Sequence, residues 1–381
     1  MGSYRCNDSK LLEDKYLTKQ YFMDFIVGGN NTGALWTWGL GSSGQLGSGA
    51  STNRSSPVQV GVLSDWSVFF TGEAFAGAIK TDGTLWSWGN NQYGQLGDGT
   101  VVHKSSPIQI GALTNWKKSA AGGLNHTAAI KTDGTLWSWG NNQYGQLGDG
   151  TVVHKSNPVQ IGSLSNWNRV SCGQNHTMAI KVDGTLWSWG DNSLGALGDG
   201  TGSNKSSPVQ IGALTNWSRA SCGGLHTAAI KTDGTLWTWG YNILGQLGSG
   251  TTTSMSSPVQ VGILTNWSYV SSTNLNTAAI KTDGTLWAWG DNSAGQLGDG
   301  TTSPKSSPIQ VGSLTDWSRV FCGPTHTIAI KTNGTIWSWG GNSSGQLGDG
   351  TTVNKSSPIQ VGVLTNWKTA AVGSSFTLAT K

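Results

Sequence analysis

The side chains that could do chemistry in this 381-residue chain recur at fixed positions, and the company they keep limits what they can do. His126, His176, His226 and His326 each open the pattern His-Thr-x-Ala-Ile. Imidazole so placed is a candidate general acid–base or metal ligand, but either role needs a carboxylate or further ligands nearby. No carboxylate recurs beside them, and Phe75, Asn276 and Phe376 hold the same position in other repeats. A structural histidine bonded to a loop carbonyl is the expectation. Aspartate precedes glycine at Asp82, Asp133, Asp183, Asp233 and Asp283, and again at Asp98, Asp149, Asp199, Asp299 and Asp349. Aspartate before glycine is turn chemistry. A calcium loop would need several oxygen ligands at alternating spacing, of which Asp191-Asn192-Ser193 is a faint echo. The glycine-rich loops lack the Lys-Ser/Thr of a phosphate loop. Cys172, Cys222 and Cys322 share one repeat position and show no metal-binding spacing, so they read as small buried groups in a reducing compartment. No catalytic residue, metal or cofactor is expected, and an active site would have to differ from its repeat mates. Residues 80–105 and 131–156 are identical instead.

What remains is suited to binding. Tyr93 and Tyr144 lie in two of the long loops, followed by His103-Lys104 and His154-Lys155, where other repeats carry smaller or aliphatic residues. Exposed variable loops on a rigid frame are the usual place for recognition. Residues 1–29 stand outside the repeat and are dense in apolar groups, among them Tyr16, Leu17, Tyr21, Phe22, Phe25 and Ile26. Such a segment either packs on the rest of the chain or docks on another protein as a helix or added strand. A third feature is a row of lysines at 80, 131, 181, 231, 281, 331 and 381, the first five with an aspartate two residues on. It predicts a surface ring, largely charge-compensated.

These residues are positioned by a repeat. Trp-x-Trp-Gly occurs at Trp36, Trp86, Trp137, Trp187, Trp237, Trp287 and Trp337, in steps of 50 or 51 residues. A fixed period near fifty marks a propeller or solenoid whose units bury their faces against each other. Two β-type runs around Asp-Gly form a hairpin; a short run after the lone tryptophan precedes it, and Pro-Val-Gln after the long loop is read as a fourth strand that opens at proline, as an edge strand can. The expectation is an all-β, seven-bladed propeller of four-stranded blades over residues 30–381, with strands A, B, C and D running from inside to outside. The last B strand, Phe376 to Lys381, has no C strand after it, and the first C strand, Ala34 to Trp38, has no B strand before it. Joined, they make a closing blade shared by the two terminal segments, which removes free edges. The 21 tryptophans then fill the wedges between blades.

Gly-Gln-Leu-Gly-Asp-Gly-Thr, then Cys-Gly-x-x-His-Thr-x-Ala-Ile, then Asp-Gly-Thr-Leu-Trp-Ser-Trp-Gly resembles the repeat of the regulator of chromosome condensation family. The resemblance covers about residues 30–381 and implies the same seven-bladed propeller. For the eukaryotic archetype it implies nucleotide exchange on the small GTPase Ran and docking on chromatin. Exchange uses a blade-specific insertion, whereas every repeat here keeps to 50–51 residues; chromatin docking uses a basic tail, whereas residues 1–29 balance Arg5, Lys10, Lys15 and Lys19 against Asp8, Glu13, Asp14 and Asp24. Repeats so alike are more similar to bacterial and viral members.

The leading expectation is therefore a non-enzymatic scaffold held in a larger assembly by an N-terminal docking arm, residues 1–29, with a bacteriophage virion as one setting. A GTPase regulator and a carbohydrate-binding surface adhesin are the alternatives. The partner is expected to be protein. A net charge of +4 spread thinly gives no nucleic-acid stripe, no apolar run is long enough to enter a membrane, and a small-molecule ligand is not expected. No signal-peptide layout is seen, so the virion or the cytoplasm is the expected location.

Overall fold

The computed structural model describes residues 32–381, apart from the side chains of Lys117 and Lys118. The proposed arm, with Tyr16, Leu17, Tyr21, Phe22 and Phe25, lies outside the described residues. Seven antiparallel four-stranded sheets make up the rest, and no helix occurs among the described residues. Blade 2 illustrates the unit: strand A Trp116–Gly122, B His126–Lys131, C Leu136–Gly140 and D Lys155–Gln160. Blades 1 and 3–6 begin at Trp66, Trp167, Trp217, Trp267 and Trp317.

Closure is as the repeat arithmetic predicts. Blade 7 takes A (Thr369–Val372) and B (Phe376–Thr380) from the C-terminal end, and C (Leu35–Gly39) and D (Arg54–Gln59) from the N-terminal end. The seam pairs Leu35 with Thr380 and Gly39 with Phe376. Ring closure thus buries the two backbone edges that an open array would leave for aggregation.

The B–C connection is a tight turn. Lys131 exchanges backbone hydrogen bonds with Thr135 and Gly134, and Gly134 has φ +83°, a conformation that side-chain-bearing residues avoid. Strand D differs from expectation. It starts three residues before its proline, pairing Lys155 with Gly140, and Pro158 falls where the register shifts before Val159 pairs with Ser138. An outer strand with a bulge tolerates the missing donor inside the strand as well as at its start.

The two faces of strand C go to different neighbours, as period-two alternation requires. Trp137 and Trp139 pack with Trp116 against Leu85 and Leu96 of blade 1, whereas Leu136 packs with Trp167 and Trp189 of blade 3. Each lone tryptophan meets its two Trp-x-Trp partners edge to face. Trp116 lies 6.1 Å from Trp137 and 6.0 Å from Trp139, and blade 7 repeats the arrangement with Trp367, Trp36 and Trp38. The packing role expected of these tryptophans is what the structure shows.

Candidate functional site

Most polar side chains that looked available for chemistry are consumed in joining one blade to the next. Every long C–D loop reaches onto its neighbour. The carbonyl of Gln95, in the blade 1 loop, accepts from the indole N–H of Trp139 at 2.9 Å and from the Thr127 hydroxyl at 2.9 Å, both in blade 2. The loop glycines allow the close approach: a Cβ on Gly148 (φ +80°) would stand 2.6 Å from the Trp189 indole nitrogen. Inside the loop, Asn142 is fully buried. Its Nδ2 donates to Asp149, Thr151 and the Val153 carbonyl, and its Oδ1 accepts from Leu147 N–H. Burial pushes the Asp149 carboxyl up, but hydrogen bonds from Thr151 and Asn142, with Lys155 nearby, hold it below the usual carboxylate range. In Asp191-Asn192-Ser193 the carboxylate accepts Ser193 N–H and Asn192 bonds Asp199 and Leu197, so the echo of a calcium loop is spent on the loop itself. Replacing Asn142 by alanine orphans several buried partners at about 1–3 kcal/mol each. The expected loss is roughly 2–4 kcal/mol in urea unfolding, with amides of residues 142–154 exchanging faster.

The histidines are structural, though their partner is not a loop carbonyl. His126 Nε2 lies 2.9 Å from Thr177 Oγ1 of blade 3. That hydroxyl already donates to the Gln146 carbonyl at 2.8 Å, so the imidazole donates through Nε2, and burial keeps it neutral. His176, His226 and His326 repeat the bond to Thr227, Thr277 and Thr377. Burial depresses the imidazoles to about 3 for His126, His226 and His326 and about 4 for His176. Cys222 and Cys322 direct their thiols to carbonyls of the preceding blade, and burial raises them to about 12. Among the described residues no three His, Cys, Asp or Glu side chains converge to hold a metal.

The lysine row does not form an open surface ring. Lys131 is 5% exposed, its Nζ 4.9 Å from the Trp116 ring and 3.6 Å from Trp137. Burial lowers its pKa and Asp133 opposes the shift. Aspartate pairing was the expected compensation. Two indole faces add cation–π attraction, Asp133 bonds Thr135, whose hydroxyl accepts from the Trp137 indole, and Lys80 and Lys331 also pair with Asp65 (3.7 Å) and Asp316 (3.4 Å).

The four predicted rim residues divide. Tyr93 is half-buried and meets the exposed His154 of the next blade edge to face at 5.3 Å. His103 and His154 also accept backbone N–H bonds from Asn91 (2.7 Å) and Asn142 (2.9 Å), so each pins its own loop. Tyr144 is half-buried, and the repeat position of His154 is held by Asn204 in the next repeat, so among the described residues the aromatic pair is made once.

Symmetry breaks most strongly at a place sequence reasoning missed. The inner A strands of all seven blades line a central cavity of about 420 Å³. The residue that pairs with the last isoleucine of strand B, or with Thr380 in blade 7, is Val68, Ser119, Arg169, Arg219, Tyr269, Arg319 and Thr369 around the ring. Three guanidiniums and a phenol thus occupy one side. Arg219 stacks on Tyr269 at 4.7 Å, Tyr269 meets Phe321 edge to face at 6.4 Å, and Arg319 donates to the Lys368 carbonyl at 2.8 Å. Burial raises the Tyr269 phenol, and the charges of Arg219, Arg319 and Arg169 oppose the rise. Aligning the seven A strands by residue type would have exposed this wall.

A frame of near-identical four-stranded blades around one irregular inner wall defines a β-propeller of known lineage. The chain belongs to the regulator of chromosome condensation (RCC1) repeat family. It matches the RCC1 repeat over residues 32–79, 82–130 and 133–180, and the RCC1-like domain over residues 168–381. Human E3 ubiquitin-protein ligase HERC2 is 31% identical over 144 residues, 36% of this chain but 3% of HERC2, so the likeness spans a small part of that protein. Among solved structures, human WBSCR16 has 22% identity and a TM-score of 0.82, with 91% of this chain and 98% of WBSCR16 covered. Prp20p of Saccharomyces cerevisiae, described with its binding to Gsp1p and histones, has 20% identity and a TM-score of 0.82, with 93% and 92% covered. At these identities the likeness is one of fold.

Proposed function

We propose that this protein is a non-enzymatic interaction scaffold, a rigid propeller anchored to a larger assembly by residues 1–29. One observation carries the reading. The histidines, cysteines, loop aspartates and asparagines that could serve catalysis are engaged between or within blades, as in His126–Thr177 and Asn142–Asp149, while the long-loop rim and the inner wall differ from blade to blade. On the rim, Tyr93, His103, Tyr144 and His154 are the proposed contact residues; in the arm, Tyr16, Leu17, Tyr21, Phe22 and Phe25. The near-identity of the repeats and the resemblance to bacterial and viral members support a virion as the assembly, with this chain in a tail, neck or decorating position.

Deleting residues 1–29 tests the arm. The contacts that close the ring begin at Gly33 and Leu35, so the propeller is expected to keep its tryptophan circular dichroism and to lose association with the assembly. Unchanged association with an intact propeller refutes the anchor. Exchange on a GTPase is the second reading, favoured by family membership. It would show as faster nucleotide release that depends on Tyr93.

A further inference from the structure

The long C–D loops share one backbone hydrogen bond whose acceptor changes chemistry around the ring. Near the start of the loop a backbone N–H donates to the side chain 12 residues further on. In blades 3 and 6 that side chain is an amide: Asn192 N–H reaches Asn204 Oδ1 and Asn342 N–H reaches Asn354 Oδ1, each at 2.8 Å. Blade 4 uses the Ser254 hydroxyl on Asn242 (3.1 Å), and blade 7 uses Asn53 on Gly41 (3.0 Å). Amide and hydroxyl oxygens accept at any ordinary pH. Blades 1 and 2 use imidazoles instead: Asn91 N–H reaches His103 Nδ1 at 2.7 Å, and Asn142 N–H reaches His154 Nδ1 at 2.9 Å. A backbone N–H only donates, so Nδ1 carries no proton in either ring and Nε2 holds it.

Both rings are exposed, unlike the four interblade histidines. Protonation puts an N–H on Nδ1, facing the N–H of Asn91 or Asn142, and the bond is lost. Histidine is the side chain that ordinarily changes charge between pH 5 and 8. The other ionisable groups recorded in these loops are the pairs Lys104–Asp98 (3.4 Å) and Lys155–Asp149 (3.6 Å), and Tyr93, whose ring meets His154. Asp98 and Asp149, held below the usual carboxylate range, stay ionised throughout that interval. The blade 7 loop has Ser43 at the position that corresponds to Tyr93, so no phenol comes to His103 from there. Blade 5 carries Pro304 in place of the acceptor, and its loop keeps the same turns. Losing the bond therefore loosens a loop without unfolding it.

From this geometry we propose that His103 and His154 make the rim of blades 1 and 2 a pH-sensitive element, two neighbouring loops pinned while the imidazoles are neutral and slackened when they are protonated. His154 carries the change across the blade boundary, because its ring also meets Tyr93 at 5.3 Å. The inference goes beyond the scaffold reading and stands whether or not this rim contacts a partner.

The test is residue-resolved amide exchange by NMR on the full chain between pH 8.0 and pH 6.0, each rate corrected for its intrinsic pH dependence. The amides of Asn192 and Asn342 are the references, since Asn204 and Asn354 hold them without titrating. A general loss of stability moves all four amides together. Relative to these references, the protection of Asn91 and Asn142 is expected to fall about fivefold as the pH drops, the opening that one lost hydrogen bond permits. His103→Asn combined with His154→Asn copies blades 3 and 6 and should abolish the fall. Where the double variant does not fold, His103→Asn alone should abolish it at Asn91 and leave it at Asn142. Constant relative protection in the unsubstituted chain, or a fall that persists in a loop whose imidazole has been replaced, overturns the proposal.

Discussion

Acidification from pH 7 to pH 4.5 is expected to remove most of the propeller's stability, well before its carboxylates are fully protonated. The cause is four imidazoles held neutral in the blade interfaces. An unfolded histidine titrates near 6.5, whereas burial holds these at about 3 or 4. Between those values the unfolded chain binds protons that the folded chain refuses. The stability they permit is whole above pH 6.5 and falls as pH drops toward the folded values. Each histidine costs about 1.4 kcal/mol per pH unit in that window, so four together cost about 5 kcal/mol per unit. Native stabilities are about 5–15 kcal/mol, so the roughly 10 kcal/mol lost over two units is comparable to the whole. Below pH 4 the loop carboxylates of Asp98, Asp149, Asp199, Asp299 and Asp349, held below their usual range, add to the loss. Urea midpoints measured from pH 7.5 to 4.5 should fall with a slope near four protons. His→Phe at 126, 176, 226 and 326, copying Phe75 and Phe376, should flatten the slope. A midpoint unchanged down to pH 5 would contradict the buried, neutral assignment.

Trp139→Ala is expected to be the most damaging single substitution in blade 2. Trp139 is fully buried, meets Trp116 edge to face, and its indole N–H holds the Gln95 carbonyl of the neighbouring blade. Removing a buried tryptophan costs about 3–5 kcal/mol by transfer and cavity terms, and losing the interblade hydrogen bond adds about 1 kcal/mol. Trp137→Ala, at a half-buried position under Lys131, should cost less. The comparison is made by urea denaturation of the two variants. Equal losses would mean that the wedge between blades is not held as described.

The fold was legible because its signals are repeated and local. Seven Trp-x-Trp-Gly marks, the Asp-Gly hairpin turns between strands B and C and an unpaired strand at each end led directly to a ring closed by a shared blade. Strand D began earlier than read because Lys155 and Ser156 are polar and carry no β signature of their own, and an edge-strand bulge absorbed Pro158. The site was less legible. Lys131 sits at a strand end, where a lysine is normally solvated; only the packing of Trp116 against Trp137 shows that two indole faces receive it. The inner wall was overlooked because strand A is short and its residue types change from blade to blade. Strand A carries a register shift after its tryptophan, and blade 2 has one residue more, so Ser119 stands where Arg169 and Arg219 stand in the next two blades.

The central claim is that this propeller works as a fixed part of something larger. Gradient sedimentation of a native lysate, with immunodetection of this protein, tests it most directly. The account predicts that the chain travels with a megadalton particle. Sedimentation near its own 39.9 kDa would contradict it and leave a free soluble binder.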